Sequence, residues 1–270
     1  MDKLLRRAVT SVLLIFFVWM TVYKFPVWLF CLIVALFVGF AQFEFFKMVE
    51  KRRIFVYKYF GTVVGSLVPL VIFTGYIFQE MKNLEPILIM VAGLFAFTLQ
   101  FVRKDNAGDH LVSISVTLFS LFYISWFFSF FVKLRLLANG ANYVAFLILI
   151  TKSADIGAYL VGSRIGKNEL IPRISPNKTK EGTLAGIVFS VFLAAMLGRG
   201  LTGFSFLHSI VIGLILSVSG QIGDLAESLI KRDCGVKDSG PCLGEIGGFF
   251  DLIDSLLFTA PIFYFYVKTF

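Results

Sequence analysis

Of the 270 residues, 58% are hydrophobic and only 16% are charged, and the mean hydropathy is +0.86. A soluble domain carries about 25% charged residues, so this composition excludes an ordinary soluble protein and implies a chain that crosses a membrane repeatedly. The formal net charge of +8 would suit nucleic acid, but its distribution along the chain argues for membrane topology and against a nucleic-acid partner.

Apolar runs long enough to cross a hydrocarbon core of about 30 Å, which takes about 20 helical residues, follow one another along the whole chain. They predict nine spans: 8–23, 26–46, 59–78, 86–102, 111–132, 143–162, 183–200, 206–229 and 249–268. The first is short enough to compete with a signal peptide, but no small-x-small cleavage pattern follows it, so it reads as a helix. The fold class expected is an all-α polytopic bundle of about nine transmembrane helices. Residues 1–142 form five structural, lipid-facing spans. Residues 143–270 form a catalytic region of four spans and two polar loops, around a polar cavity open to the cytoplasm. Cys31 lies within a span, and Cys234 and Cys242 lack the usual zinc spacing. His110 and His208 sit near span ends, so a histidine metal site is not expected.

With the N-terminus in the cytoplasm and nine crossings, eighteen of the 25 Lys and Arg fall on the cytoplasmic side and six on the other, with Lys152 within a span. That split obeys the positive-inside rule. It places Phe270 outside and both polar loops, 163–182 and 231–248, in the cytoplasm. Lys104 and the N-terminal Lys3, Arg6 and Arg7 belong to the cytoplasmic count.

The acids carry the functional signal. Before about Asn142 the apolar runs are almost free of them, whereas Asp155, Asp224, Glu227, Asp251 and Asp254 lie in or beside the later runs. Carboxylates at membrane depth are costly and usually functional. Lys152 and Asp155 are three apart on one helix face and form a natural ion pair. In the first loop, Ser175-Pro176 reads as a helix start, with Ser at the cap and Pro in the first turn. Such a helix would aim free N–H groups at an anion, with Lys178 and Lys180 adding charge and Arg164, Lys167 and Arg173 able to close over a phosphate. A solvated basic loop is the alternative. Asp224 and Ser228, and Glu227 and Lys231, are each four apart. The second loop brings Lys231, Arg232, Lys237, Asp238 and several glycines, among them Gly244, Gly247 and Gly248. Asp251 and Asp254 follow, three apart. One of them can be a helix cap, but together with Asp224 they look like oxygen ligands for a hard cation such as Mg²⁺.

The stretch Ser228-x-x-Lys231-Arg232-x₄-Lys237-Asp238-x-Gly240, continuing to Gly247-Gly248-Phe249-x-Asp251-x-x-Asp254, resembles the signature of the phosphatidate cytidylyltransferases, the CDP-diacylglycerol synthases. Asp155-x-Gly157-Ala158-Tyr159, Gly166-Lys167 and Ser175-Pro176-Asn177-Lys178-Thr179-x-Glu181-Gly182 look like the second block of that family. The match is dense over about residues 152–186 and 217–258. Two positions depart from the family pattern: Ile246 stands where it has His, and Leu252 where it has Arg; Glu245 is a neighbour that can compensate.

The resemblance implies a Mg²⁺-dependent reaction of CTP with phosphatidic acid in a bacterial-type inner membrane. The products are CDP-diacylglycerol and pyrophosphate, in phospholipid biosynthesis. It implies Asp224, Asp251 and Lys178 as catalytic residues. Asp155, Asp224, Asp251 and Asp254 become metal ligands, with room for a second cation. Arg164, Lys167, Arg173, Ser175, Asn177, Lys178 and Lys180 would contact substrate, as would Ser228, Lys231, Arg232, Lys237, Asp238, Gly247 and Gly248. Membrane lipids are the expected surroundings, and a homo-oligomer is left open. Two alternatives remain at this stage. A CTP-dependent polyprenol or dolichol kinase would pass on the γ-phosphate instead. An ion-coupled transporter would place acids near span centres and show symmetry between halves.

Overall fold

The computed structural model describes residues 3–103, 108–240 and 247–270, with the backbone alone for 3–9 and 11. Lys104, Cys242, Gly244, Glu245 and Ile246, and the side chains of Lys3, Arg6 and Arg7, lie outside the described residues. Nine helices run through the rest. They are α1 (Lys3–Tyr23), α2 (Val27–Glu50), α3 (Lys58–Ile77), α4 (Leu84–Val102), α5 (His110–Arg135), α6 (Gly140–Ile165), α7 (Lys180–Leu201), α8 (Phe206–Asp233) and α9 (Phe249–Thr269). Within α5 the turn Leu121–Trp126 widens to a π-helix. Each expected span falls on one of these helices, with its ends displaced by five residues at most.

Helices α2 to α9 are long and apolar enough to cross a membrane; in α1 the apolar stretch is Val12–Tyr23. Large apolar side chains face outward along them: Phe101 is 82% exposed and Leu111 75%. Water would penalise such a surface, whereas lipid accommodates it, and helices satisfy their own backbone groups there. The protein is an all-α polytopic membrane protein.

Among the described residues the one strand pair is a hairpin between α6 and α7, β1 (Glu169–Ile171) with β2 (Ser175–Thr179), antiparallel with Ile171 opposite Ser175. This corrects the expected helix start at Ser175-Pro176. Those residues are strand, and α7 begins at Lys180 with Thr179 as its cap, whose hydroxyl accepts the Gly182 N–H at 3.1 Å. The carboxylate of Glu181 accepts from Lys167 N, Asn168 N and Asn168 Nδ2, so the hairpin is laced to the first turn of α7 and has no need of a cap at Ser175.

The chain forms two compact units. The first comprises Met1–Leu136 with Cys234–Leu252, and the second Leu137–Asp233 with Ile253–Phe270. In the first, Phe250 from the start of α9 packs against Phe45 and Tyr123. In the second, small residues let helices meet backbone to backbone. Gly182, Gly186, Ser190, Ala194 and Gly198 recur every fourth residue on one buried face of α7. Against them lie α6 and α8: a Cβ added at Gly186 would lie 2.6 Å from the Ala154 carbonyl oxygen, and one at Gly213 2.6 Å from the Ala194 methyl. Helices in lipid associate through such small-residue faces because no hydrophobic effect drives them together. Ser190 Oγ adds hydrogen bonds to Ile150 O at 3.2 Å and Gly213 O at 3.3 Å.

Candidate active site

In the second unit, α8 and α9 approach closely at Gly223, where an added Cβ would lie 2.7 Å from the Asp254 carbonyl oxygen and 3.2 Å from Ser255 Cα. The missing side chain lets the next residue, Asp224, reach the neighbourhood of Asp254. Glu227 lies one helical turn beyond Asp224, on the same face. The outcome is three carboxylates, Asp224, Glu227 and Asp254, each offering an oxygen within 4.8 Å of the others. Glu227 and Asp254 are buried and Asp224 half-buried.

Three lysines balance this acid cluster. Lys178 at the end of β2 pairs with Asp224. Lys231 pairs with Glu227 at 2.5 Å, one turn along α8. Lys152 of α6 lies 3.2 Å from Asp155, 3.9 Å from Asp254, and 2.9 Å from Ser255 Oγ, which itself donates to Asp155 at 3.3 Å. The expected Lys152–Asp155 pair is therefore present, and it extends to Asp254. Four carboxylates stand beside three ammonium groups in this cluster. All donor atoms of the triad are carboxylate oxygens, the set that a hard cation prefers over a thiophilic one. The geometry is that of a group able to hold a metal ion.

Around it, Ser175, Asn177 and Lys178 lie on β2, with Asn177 exposed and Lys178 half-buried. Arg164, Lys167, Arg173 and Lys180 are exposed on the α6 end and the hairpin. Arg232 Nε donates to Ile174 O at 3.3 Å, so α8 reaches back to the hairpin. Ser228 is half-buried on α8. Gly157 and Gly182, both within the second motif block, serve packing: added Cβ atoms would meet Phe189 Cβ at 2.8 Å and Ala158 O at 2.7 Å.

The remaining expected residues belong to the first unit. Lys237 and Asp238 are exposed. Asp251 sits in the first turn of α9, where its Oδ2 accepts Gly248 N at 2.8 Å, Ser239 N at 3.1 Å and Ser239 Oγ at 2.9 Å. Gly248 immediately precedes the helix and Asp251 is its third residue, so this is the side-chain half of a capping box. Gly247 has φ +109°, a conformation that favours glycine, and a Cβ there would lie 2.7 Å from Asp251 Oδ2. These glycines thus fit closely around protein carboxylates.

Two acids play larger parts than sequence reasoning gives them. Glu227 is read there as the partner of Lys231, although its three-residue spacing from Asp224 already places both on one face. Glu44, buried in α2, is not singled out at all. It is the one acid inside an N-terminal apolar run, close to the end of the span 26–46.

The sequence matches the model of the cytidylyltransferase family over residues 5–270. It is 37% identical over 191 residues to the phosphatidate cytidylyltransferase of Bacillus subtilis (strain 168), covering 70% of each chain. To that of Aquifex aeolicus (strain VF5) it is 34% identical over 197 residues, 73% of this chain and 69% of the other. An uncharacterized Escherichia coli (strain K12) protein, YnbB, is 39% identical over 153 residues, 57% of this chain. The match spans about half, 51%, of YnbB's own length.

Proposed function

This chain belongs to the cytidylyltransferase family, and from that premise we propose that it joins CTP to phosphatidate at the cluster of Asp224, Glu227 and Asp254. The enzyme is a nucleotidyltransferase of phospholipid biosynthesis. A phosphate oxygen of phosphatidate attacks the α-phosphorus of CTP. A new P–O bond forms there, the bond from the α-phosphorus to the bridging oxygen breaks, and pyrophosphate leaves with that electron pair. CDP-diacylglycerol remains in the membrane. A phosphate monoester has its second pKa near 6, so the nucleophile is already ionised near pH 7 and needs no dedicated base.

The observation that carries this reading is the convergence of three carboxylates from two helices beside Lys178, Lys152 and Lys231. Bringing a triphosphate to a second phosphate is opposed mainly by charge, so positioning and electrostatic neutralisation supply most of the catalysis. Asp224, Glu227 and Asp254 would hold Mg²⁺, with Asp155 behind them and room for a second cation. When bound, Mg²⁺ neutralises phosphate charge and orients the triphosphate. Lys178 is placed to take a phosphate oxygen, because it reaches the triad from the hairpin. Arg164, Lys167, Arg173, Lys180, Ser175 and Asn177 supply further donors from the hairpin side. Lys231, Arg232 and Ser228 supply them from α8. The resemblance gives substrate-binding roles to Lys237, Asp238, Gly247 and Gly248, and a metal-ligand role to Asp251. The eighteen-to-six distribution of basic residues supports an active site facing the cytoplasm.

Family membership sets aside the ion-coupled transporter. The lipid-kinase alternative differs in its products. Protein reconstituted with phosphatidate, Mg²⁺ and CTP labelled in the α-phosphate should transfer the label to lipid and release unlabelled pyrophosphate. With a polyprenol added as acceptor, release of labelled CDP and formation of an unlabelled lipid phosphate would identify a kinase.

A further inference from the structure

We propose that Glu44 is a positioning residue for this reaction, holding both flanks of the loop before α9 on a single buried carboxylate. The inference rests on the cytidylyltransferase reading above. Glu44 is 3% exposed, inside the apolar helix α2. A carboxylate buried there costs several kcal/mol, in order of magnitude, unless it is well paired. Among the described residues, no lysine or arginine pairs with it. Its Oε2 instead accepts the Ser239 hydroxyl at 3.1 Å and the Phe250 N–H at 2.9 Å. Among the described residues its Oε1 is buried without a hydrogen-bond partner.

Those two donors come from opposite ends of the loop. Ser239 precedes it, and Phe250 is the second residue of α9, whose N–H has no partner within its own helix. The positive end of the helix dipole favours the carboxylate there. The glycines flanking the loop make the approach possible. A Cβ at Gly240 would lie 2.6 Å from Glu44 Oε1, and one at Gly248 would run into Glu44 Oε2 and Ser239 Oγ. Ser239 then extends the arrangement. Its single hydroxyl proton lies between Glu44 Oε2, at 3.1 Å, and Asp251 Oδ2, at 2.9 Å, and it can serve only one of them at a time. Asp251 closes the ring on Gly248 N. Glu44 thereby fixes where α9 begins and how Asp251 is aimed, without itself needing to touch substrate. Asp254 follows Asp251 by less than one turn of the same helix.

A purely structural residue would change folding stability and leave the chemical step alone. A positioning residue changes kcat with little change in KM, because geometry matters most in the transition state. The full-length protein in phosphatidate-containing vesicles distinguishes the two. Glu44→Ala should lower kcat by about 100-fold, the scale of a 1 Å misplacement, while the KM for CTP shifts by less than about threefold. Amides 248–251 should exchange hydrogen faster than in the wild type. Glu44→Gln, which keeps an acceptor for Phe250 N–H and gains a donor toward Ser239, should recover at least about a tenth of wild-type kcat. Ser239→Ala should lower kcat in the same direction. Adding it to Glu44→Ala should cost less than about threefold more, as expected of coupled neighbours.

Wild-type kcat in Glu44→Ala, unchanged exchange at 248–251, or independent effects of the two substitutions would each overturn the proposal. If Glu44→Ala does not fold, Glu44→Gln and Ser239→Ala decide. Slower turnover and faster local exchange in Ser239→Ala, with a milder loss in Glu44→Gln, support it; wild-type behaviour in both refutes it. The exchange measurement needs no turnover. A wild-type protein that makes no CDP-diacylglycerol therefore defeats the proposed reaction, while exchange still reports whether Glu44 holds the loop.

Discussion

Lys178, the lysine of strand β2, ends its side chain on the carboxylate of Asp224 in α8. This ion pair joins the hairpin to the acid cluster, and it separates Lys178 from Lys180, which is exposed two residues later. A cation already held at the triad is pre-placed for a phosphate that arrives there. Lys178→Ala should therefore raise the KM for CTP by at least about tenfold, equivalent to ~1.4 kcal/mol of lost binding. Lys180→Ala should raise it by less. Steady-state kinetics on both variants check this ranking; equal KM values in the two variants and the wild type would return the loop to a merely basic surface.

Gly223→Ala tests whether the close approach of α8 and α9 builds the cluster. The added methyl would meet the Asp254 carbonyl oxygen at 2.7 Å and Ser255 Cα at 3.2 Å. Both are backbone atoms, which yield only if the helices separate. Overpacking of this kind costs typically about 1–3 kcal/mol. The expected outcome is a lowered thermal midpoint and more than about tenfold loss of kcat, since small displacements of reacting groups are expensive. Gly200→Ala, where no atom lies within 4 Å of the added Cβ, serves as the control and should retain activity.

Asp251→Asn separates a cap from a charge. Asp251 caps α9 through Gly248 N, and the Oδ1 of an Asn can accept the same hydrogen bond. If capping were its whole role, Asn would leave turnover nearly normal. The metal-ligand role that the family resemblance implies for Asp251 requires the negative charge, so CDP-diacylglycerol formation should be lost in Asp251→Asn, and excess Mg²⁺ should not restore it. The thermal midpoint should stay near that of the wild type. Assay and unfolding measured on the same preparation give both readings.

The helices were legible because each is an apolar run of membrane-spanning length, a signal that needs no tertiary information. Asp155, Asp224 and Asp254 were legible because acids inside such runs stand out. The strand at Ser175-Pro176 was not. Ser followed by Pro is a sound local cap signal, but pairing with Glu169–Ile171 and the Thr179 hydroxyl on Gly182 N won over it. The glycines of the motifs were open to two readings. Gly182 and Gly186 proved to be spaced for helix contact, a four-residue period visible in the sequence once it is sought. Glu44 was illegible for a different reason. Its partner Ser239 lies 195 residues away, and no local pattern announces a pairing over that distance.

The central claim is that Asp224, Glu227 and Asp254 together hold the divalent cation used in cytidylyl transfer. Glu227→Gln tests it most directly, because it keeps the shape of a buried side chain while removing one of three charges. The measurement is CDP-diacylglycerol formation as a function of free Mg²⁺ at saturating CTP and phosphatidate, wild type against variant. The account predicts that Glu227→Gln needs at least about tenfold more Mg²⁺ for half-maximal rate, a loss of ~1.4 kcal/mol in cation binding. A variant with the wild-type Mg²⁺ dependence would contradict it.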